Sequence, residues 1–541
     1  MLRIFIAFFL ALVSPSVALT CLAAPATAQN QILQKHPVRP LPGSLDKIPV
    51  FNSNSPEVLI NEGILLSTWS PANKAQAAAH LNYAFEGKFD IFFHHISRPA
   101  LDANAVNRLM NVGVLAFNPG KDPIKLKILQ ALSYVNTDAP FVNLAAYVNN
   151  ADGRTFSGPG SRIANDMKRG LTDARLTKEF TIPPGQSTVI FSRSIPNRSA
   201  KSTLMRLQST GKVQIASVAL LDKLKFPPLG VLAIGHQPKL LPSLENPSPT
   251  VKPAKLLPVY RSPSTADWQA AVKNSKLATP RDRVPTNLSA IKPGQGITYG
   301  RVAGVSQGSR WEAKITDQPG SNDLSLPERG QAVSFAISTL DGGRLGTSQI
   351  QSAAMLKRYP DTAYRGHGNY GTHYRLTMPL LNNSSEERSV VIKMQTPFKD
   401  DVLFGGLRFL SPVPADAPIF FRGTVQIRYA DDAGHAATKQ THIVQKRGEQ
   451  GQALITIKLP PGTRRSVEID LIYPPDASPP QVFTVESLGA PRSASLEQNK
   501  VDRTKEDPKT EQQPIVIKRV IPWTLVPAKQ PSAPVPDSNQ L

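Results

Sequence analysis

The chain has 541 residues, among them 50 prolines, 34 glycines and one cysteine, and its 62 lysines and arginines face 40 aspartates and glutamates. An apolar fraction of 40% supports packed cores and excludes wholesale disorder. Proline at nearly twice its usual share excludes a coiled coil or a bundle of long helices, because each interior proline removes a helical hydrogen bond.

Residues 1–28 are expected to be a secretory signal peptide. Arg3 precedes an unbroken apolar run from Ile4 to Val13, and Ala26-Thr27-Ala28 supplies the small residues of a cleavage site. That run is roughly half the ~20 residues a membrane span needs, and no later stretch approaches this length, so no transmembrane span is expected in the mature chain. Cleavage after Ala28 removes Cys21, the one cysteine. Lipidation of Cys21 is the alternative, but in Ala18-Leu19-Thr20 the leucine is not as far upstream as such sites usually want it and Thr20 stands where a small residue should precede the cysteine. The expected destination is export, to the periplasm, the cell surface or the medium.

Residues 29–226 read as a first β-sandwich-like domain. Ile124, Leu126 and Ile128 alternate with Lys125 and Lys127, which puts apolar groups on one face of a strand and cations on the other. Asn118-Pro119-Gly120 and Pro184-Gly185 are turn signals. A short helix is expected over Arg162–Arg169, with Ser161 as its N-cap. This segment holds 23 basic and 13 acidic residues.

Residues 227–296 read as a Pro-rich linker. Nine prolines fall between Pro227 and Pro263, a composition that favours extended chain, and a short helix is expected from Thr265 to Leu277, stopped near Pro280. The linker is again basic, with 9 positive against 3 negative residues. Residues 297–490 read as a second β-sandwich-like domain. Val425, Ile427 and Tyr429, then Ile455, Ile457 and Leu459, then Val467, Ile469 and Leu471 alternate with polar residues, and Asp432-Ala433-Gly434 and Pro461-Gly462 mark turns. Residues 491–541 form a Pro-rich tail expected to be disordered, apart from Pro514–Pro527 (PIVIKRVIPWTLVP), which is apolar enough to dock on a neighbour. The expected fold class is all-β: two antiparallel β-sandwich-like domains, a Pro-rich linker and few short helices.

A faint repeat runs through the two domains. GVLAFNPGKDPIKLKILQ followed by FTIPPGQSTVIF resembles YRLTMPLLNNSSEERSVVIKM followed by ITIKLPPGTRRSVEIDLI: strand, Asn-led turn, strand, then strand, Pro-Pro-Gly turn, strand. Gly160-Ser161-Arg162 is echoed by Gly308-Ser309-Arg310.

No motif names a reaction. The densest polar and aromatic stretch is Arg358–Tyr374, where Gly366, Gly368 and Gly371 permit close approach and the tyrosines offer stacking faces suited to sugars, or simply pack over a sandwich end. Adjacent strand histidines His94 and His95 point to opposite faces and cannot chelate one metal together, so one is expected in the core and the other at solvent. His367 with His373 and His435 with His442 lack metalloprotease spacing. The acid pairs Asp400-Asp401, Glu386-Glu387 and Asp431-Asp432 sit in turns, not across a cleft as a glycosidase requires. No Gly-x-Ser-x-Gly elbow, phosphate-binding loop or dinucleotide fingerprint occurs, so neither cofactor nor metal is expected. Gly158-Pro159-Gly160-Ser161-Arg162, at a helix start, reads as an anion cradle or as a plain turn.

Taken together, Leu41–Glu57, Gly158–Arg162, Arg358–Gly371 and Ile472–Val482 resemble an uncharacterised family of exported cyanobacterial proteins, known only as a domain of unknown function. The resemblance covers most of residues 40–490. It implies a cell-envelope or extracellular context and brings no activity, cofactor or catalytic residue.

The leading expectation is a non-catalytic exported protein that binds an anionic polysaccharide, a cell-wall polymer or an envelope protein. Nucleic acid is not an expected partner of an exported chain without RNA-reading motifs. Lys121, Lys125, Lys127, Lys168 and Arg169 are the expected contacts, with Arg365, His367 and Tyr370 as a second set. The alternatives are a carbohydrate-active hydrolase with its cleft at the domain junction, using Asp361 or His367, and a structural envelope component docking through its tail.

Overall fold

A computed structural model describes residues 30–100, 108–225, 259–290 and 296–489. The expected signal peptide, Cys21, most of the Pro-rich stretch and the tail peptide Pro514–Pro527 lie outside the described residues. The described chain is built mostly of β-strands, with two α-helices, α1 (Pro159–Lys168) and α2 (Thr265–Asn274). The all-β class therefore holds.

The first sandwich is organised by one strand, Ala200–Leu221, which is 22 residues long. Its first half pairs with Phe85–Ser97 and Ile124–Val135, and its second half with Met110–Phe117 and Gly63–Ser67. The register shifts between Ser209 and Val213, and there the strand passes from one layer to the other, as strands do at sandwich corners. Phe89, Ile91, Phe93, Met205 and Leu207 from one layer meet Val112, Val114, Ala116, Ile215 and Ala219 from the other in a fully buried core. The second sandwich packs a seven-stranded sheet on a five-stranded one, and Leu376, Val425, Ile427, Val467 and Ile469 interleave with Val390, Ile392, Ile455, Phe483 and Val485. The alternation read in the sequence falls on strands Ile124–Val135, Ile419–Ala430, Ala453–Leu459 and Arg464–Ile472, each with its apolar members inside.

The sheets do not divide where the sequence divides. Ala303–Gln307 joins the first sandwich beside Pro49–Ser53, whereas Tyr147–Asn149 and Val38–Arg39 add strands to the sheets of the second. Each exchange supplies hydrogen-bond partners to a sheet edge that would otherwise stand bare. Most pairings are antiparallel. The parallel ones, such as Val38–Arg39 with Ala332–Ile337 and Arg310–Lys314 with His373–Leu381, join strands that no hairpin connects.

The helices refine two expectations. Helix α2 starts inside a capping box in which Ser264 Oγ accepts from Asp267 N–H and the Asp267 carboxylate accepts from Ser264 N–H. It lies against the first sandwich with Trp268 only 1% exposed, so this part of the expected linker belongs to the core. Helix α1 starts at Pro159, three residues before the expected start, because proline's fixed φ suits the first helical position. Ser161 is thus not the N-cap. Its hydroxyl donates to the Gly158 carbonyl at 2.9 Å, from inside the helix.

The faint repeat has a physical counterpart. Buried Asn118 donates its Nδ2 hydrogens to the Asp122 and Ile182 carbonyls at 2.8 and 2.9 Å; buried Asn382 donates to Glu386 and Leu459 at 2.7 and 2.8 Å. The Asn118 carbonyl accepts from Gly185 N–H, and that of Asn382 from Gly462 N–H, at 2.9 and 2.8 Å. Register agrees as well: Phe117 faces Ser187 as Leu381 faces Arg464, and Ile124 faces Ile182 as Arg388 faces Leu459. Each asparagine pins its own turn to the Pro-Pro-Gly turn of a second hairpin. Asn118→Ala and Asn382→Ala should therefore each remove about 1–3 kcal/mol, since one buried carbonyl, that of Ile182 or Leu459, loses its donor. Urea unfolding of the two variants checks this, and a negligible change at either position contradicts the equivalence.

Candidate charged groove at the sandwich junction

The two sandwiches meet around α1 and the loop Arg358–Tyr374. Val50, Phe92, Leu132 and Leu204 of the first sandwich pack with Ile163, Ala164 and Met167 of α1 and with Ile472 of the second. The N-terminal N–H groups of α1 do cradle an anion, and that anion is the chain's own Asp476. Ser161 N–H donates to Asp476 Oδ2 at 2.8 Å. A Cβ on Gly160 would stand 2.5 Å from the Asp476 carboxylate and one on Gly158 2.7 Å from it, so both glycines are needed for this approach. Burial raises the Asp476 carboxyl to about 6, with the backbone donors and Arg422 opposing it. The echo at Gly308-Ser309-Arg310 behaves alike: Ser309 N–H donates to Asp46 Oδ1 at 2.8 Å.

The outer face of the seven-stranded sheet continues beyond α1. Pairing register places Glu312, Arg375, Asp470, Gln426 and Gln440 in one row across five strands, and Lys314, Thr377, Glu468, Arg428 and Thr438 in the next. These rows form an open groove of about 460 Å³, lined by Glu312, Lys314, Arg375, Thr377, Arg428 and Glu468 among others. Arg428 Nε donates to Glu468 at 3.0 Å and its guanidinium lies 3.7 Å from Asp470; Arg375 lies 3.7 Å from Glu312. The side chains of Arg375 and Arg428 remain 50% and 43% exposed, so their remaining donors face solvent. Arg206 of the first sandwich acts on Arg310, Arg375 and Asp470 from the junction side, and burial lowers its pKa. At the same seam His373 Nε2 and Asp470 Oδ1 are 2.8 Å apart; burial keeps the imidazole pKa low against the pull of that carboxylate.

The expected contact residues scatter. Lys125 and Lys127 are exposed on the first sandwich and share one counterion, Glu179, at 3.7 and 3.5 Å; Lys121 is exposed at the preceding turn. Lys168 is not a free cation. Its Nζ donates to Gln426 and Gln440 at 2.7 and 3.2 Å, tying α1 to the second sandwich, and burial lowers it to about 8. Arg169 is exposed beside it and donates to the Gly153 carbonyl. Arg365 is exposed, but His367 and Tyr370 turn inward, with rings 5.3 Å apart, and Tyr370 also packs near Phe92 and Tyr473. Burial holds His367 down to about 3. Tyr370 thus seals the junction instead of presenting a sugar platform.

Asp361 is bound by Arg281 through two bonds, 2.8 and 3.1 Å. Burial pushes this carboxyl up, but Arg281 outweighs it and holds the group below its usual range. Of the two adjacent histidines, one of them expected at solvent, His94 bonds Ser202 at 2.8 Å and is only 20% exposed, while His95 bonds the Pro56 carbonyl inside the core. Among the described residues no group of three His, Cys, Asp or Glu side chains could hold a metal ion, and no helix is long and apolar enough to cross a membrane.

Sequence reading missed Arg375, Arg428 and Arg206. Arg375 and Arg428 are polar members of alternating strands that only cross-strand register brings together, and Arg206 comes near them only through packing at the sandwich junction. No match to a curated protein was found. Among solved structures, a match is the crystal structure of Lac15 from a marine microbial metagenome, at 10% identity, over 75% of this chain and 54% of that one, with a TM-score of 0.09. The chain thus spans about half of that protein's length, and this superposition carries no argument about fold. Residues 36–487, from just before the first exchanged strand to the last strand of the second sandwich, match the profile described as "Protein of unknown function (DUF3370)", and the chain belongs to that family.

Proposed function

We propose that the protein is a non-catalytic, exported component of the cell envelope that holds an anionic polymer, such as an acidic polysaccharide, in the charged groove. The observation that supports this reading is the pair of half-exposed guanidiniums, Arg375 and Arg428. Carboxylates on neighbouring strands orient each of them while leaving donors open to a ligand. An open groove on a sheet face suits an extended chain better than a small molecule, and Lys314 together with the net charge of +22 adds long-range attraction. The apolar leader read in residues 1–28 supports the exported part of this reading.

The test is co-sedimentation of residues 29–541 with isolated cell-wall and exopolysaccharide fractions at low and high salt. Binding should be lost at high salt, because the charges are exposed and screened. Arg375→Ala and Arg428→Ala should each weaken it about tenfold, the value of one charge-assisted hydrogen bond, while Lys125→Ala and Lys127→Ala should change it less, since those lysines already share Glu179. Salt-insensitive binding, or losses confined to the lysine variants, would overturn the groove as the site.

A further inference from the structure

The charged groove ends at the seam with the first sandwich, and register carries the charged surface across it. On Phe85–Ser97, Phe89, Ile91 and Phe93 point into the core, so Lys88, Asp90 and Phe92 lie on the outer face. Asp90 stands opposite Arg206, and one step outward Lys88 stands opposite Gln208, whose other neighbour is Lys127. Lys88, Gln208 and Lys127 thus form an exposed row beside the buried Asp90. The seam ties this row to the groove: Arg206 acts on Arg310 and Arg375, and the Ser309 hydroxyl, 3.3 Å from Asp46, also bonds Asp90. Arg310 begins the strand Arg310–Lys314, which carries Glu312 and Lys314 of the groove. The lysine row and the groove therefore flank one floor.

Counterions divide the cations of this surface into two kinds. Lys127 shares Glu179, Arg375 lies against Glu312, and Arg428 binds Glu468 with Asp470 beside it. Lys88 and Lys314 are exposed and, among the described residues, neither makes an ion pair. An anion approaching a paired cation has to compete with the carboxylate already there, whereas one approaching a free lysine meets its whole charge. One of these free lysines stands on each sandwich. At the rise of a strand, Lys314 lies about 13 Å beyond Arg310 and Lys88 about 7 Å beyond Asp90, and a sheet-to-sheet gap adds about 10 Å. The two lysines are thus roughly 30 Å apart along the surface.

We propose, resting on the groove as the binding site, that its ligand crosses the seam: a polyanion long enough to set acidic groups on Lys314 at one end and on Lys88 at the other, with Arg375 between them. A short acidic oligosaccharide reaches one sandwich only. A carboxylated polysaccharide reaches both, and its repeated acidic groups let several weak, exposed contacts act together on one chain. The specificity that follows is for length as well as charge.

The test is titration of residues 29–541 at low salt with polygalacturonate and with the galacturonate trimer. Lys88→Glu and Lys314→Glu should each weaken polymer binding about tenfold, since reversal removes an attraction and adds a repulsion. Lys458→Glu is the control for net charge: it alters an exposed lysine on the outer face of the five-stranded sheet, and polymer binding should stay within about twofold of the wild type. The trimer should bind the wild type more weakly than the polymer does, and Lys88→Glu should not change that affinity, whereas Arg375→Ala should weaken both ligands. Polymer binding that Arg375→Ala weakens and Lys88→Glu leaves alone confines the ligand to the groove and overturns the crossing. Equal losses in Lys88→Glu and Lys458→Glu overturn it too, because they reduce the effect to diffuse attraction. Polymer binding indifferent to Arg375→Ala, or no binding of polygalacturonate at low salt, removes the groove and the crossing together.

Discussion

Below pH 6.5 the protein is expected to lose stability steeply. His80, His95 and His442 are 6%, 0% and 0% exposed. Burial lowers their pKa values to about 4, 3 and 4, so the folded chain keeps them neutral while the unfolded chain protonates them near 6.5. The unfolded state therefore binds more protons, and stability falls as pH drops from 6.5 towards 4. At pH 5 each ring costs roughly 2 kcal/mol. His94 and His367, with pKa values lowered to about 4 and 3, act in the same direction. Asp90 and Asp476 act oppositely: burial raises both to about 6, so the folded state takes up their protons first, and each adds stability of roughly 1–2 kcal/mol between pH 6 and 4 that is absent at neutral pH. The histidines outnumber the carboxyls, and the net loss at pH 5 is several kcal/mol, a large part of the ~5–15 kcal/mol of a typical domain. Urea titrations at pH 7.5, 6 and 5 measure it, and His442→Gln should flatten the acid limb. Stability that is level or rising below pH 6.5 would show that these rings reach water in the native state.

Alternation was legible because it needs only local sterics. Ile124, Leu126 and Ile128 point inward and Lys125 and Lys127 outward in the fold as in the sequence. Turn chemistry was legible too, down to the two asparagines whose hydrogen bonds repeat across 264 positions of chain, from Asn118 to Asn382. What the chain did not disclose was register over distance. Ala303–Gln307 lies beside Pro49–Ser53 because an edge needed a partner, and nothing in GVSQ or VFNS names the other. The candidate site failed for the same reason. A lysine alternating with isoleucine announces exposure at once, whereas Arg375, Glu468 and Arg428 acquire meaning only when three strands are laid side by side. Gly158–Arg162 carried a correct physical signal, a helix start able to hold an anion, but not its address 315 residues away in Asp476. Tyr370 and His367 were drawn into the junction because aromatic bulk fills a seam between sheets as readily as it lines a pocket.

Trp268→Ala should be the most damaging single substitution in the segment first read as linker, at about 3–5 kcal/mol. The reasoning starts from Gly113. A Cβ there would stand 2.8 Å from the indole, so the strand Met110–Phe117 has dispensed with a side chain to let the ring lie against its backbone. Leu115, Ala216, Val218, Leu220 and Ile64 complete the pocket, and Ala271 and Val272 seat the next turn of α2. Removing the indole leaves a cavity that Gly113 cannot fill. The neighbouring chain is fastened in the same way: Ala278 N–H donates to the Ile64 carbonyl and Ile64 N–H to that of Lys276, at 2.8 and 2.9 Å, over Gly63, where any Cβ would meet Ala278 at 2.8 Å. Residues 265–278 therefore cover the outer layer of the first sandwich, and a proline-rich composition upstream does not make them a spacer. Thermal unfolding of Trp268→Ala against a Gln269→Ala control at the exposed neighbouring position separates the two readings. A drop of many degrees in the first variant alone shows that the sandwich depends on α2, and equal melting of both shows that the helix rides on a body already complete without it.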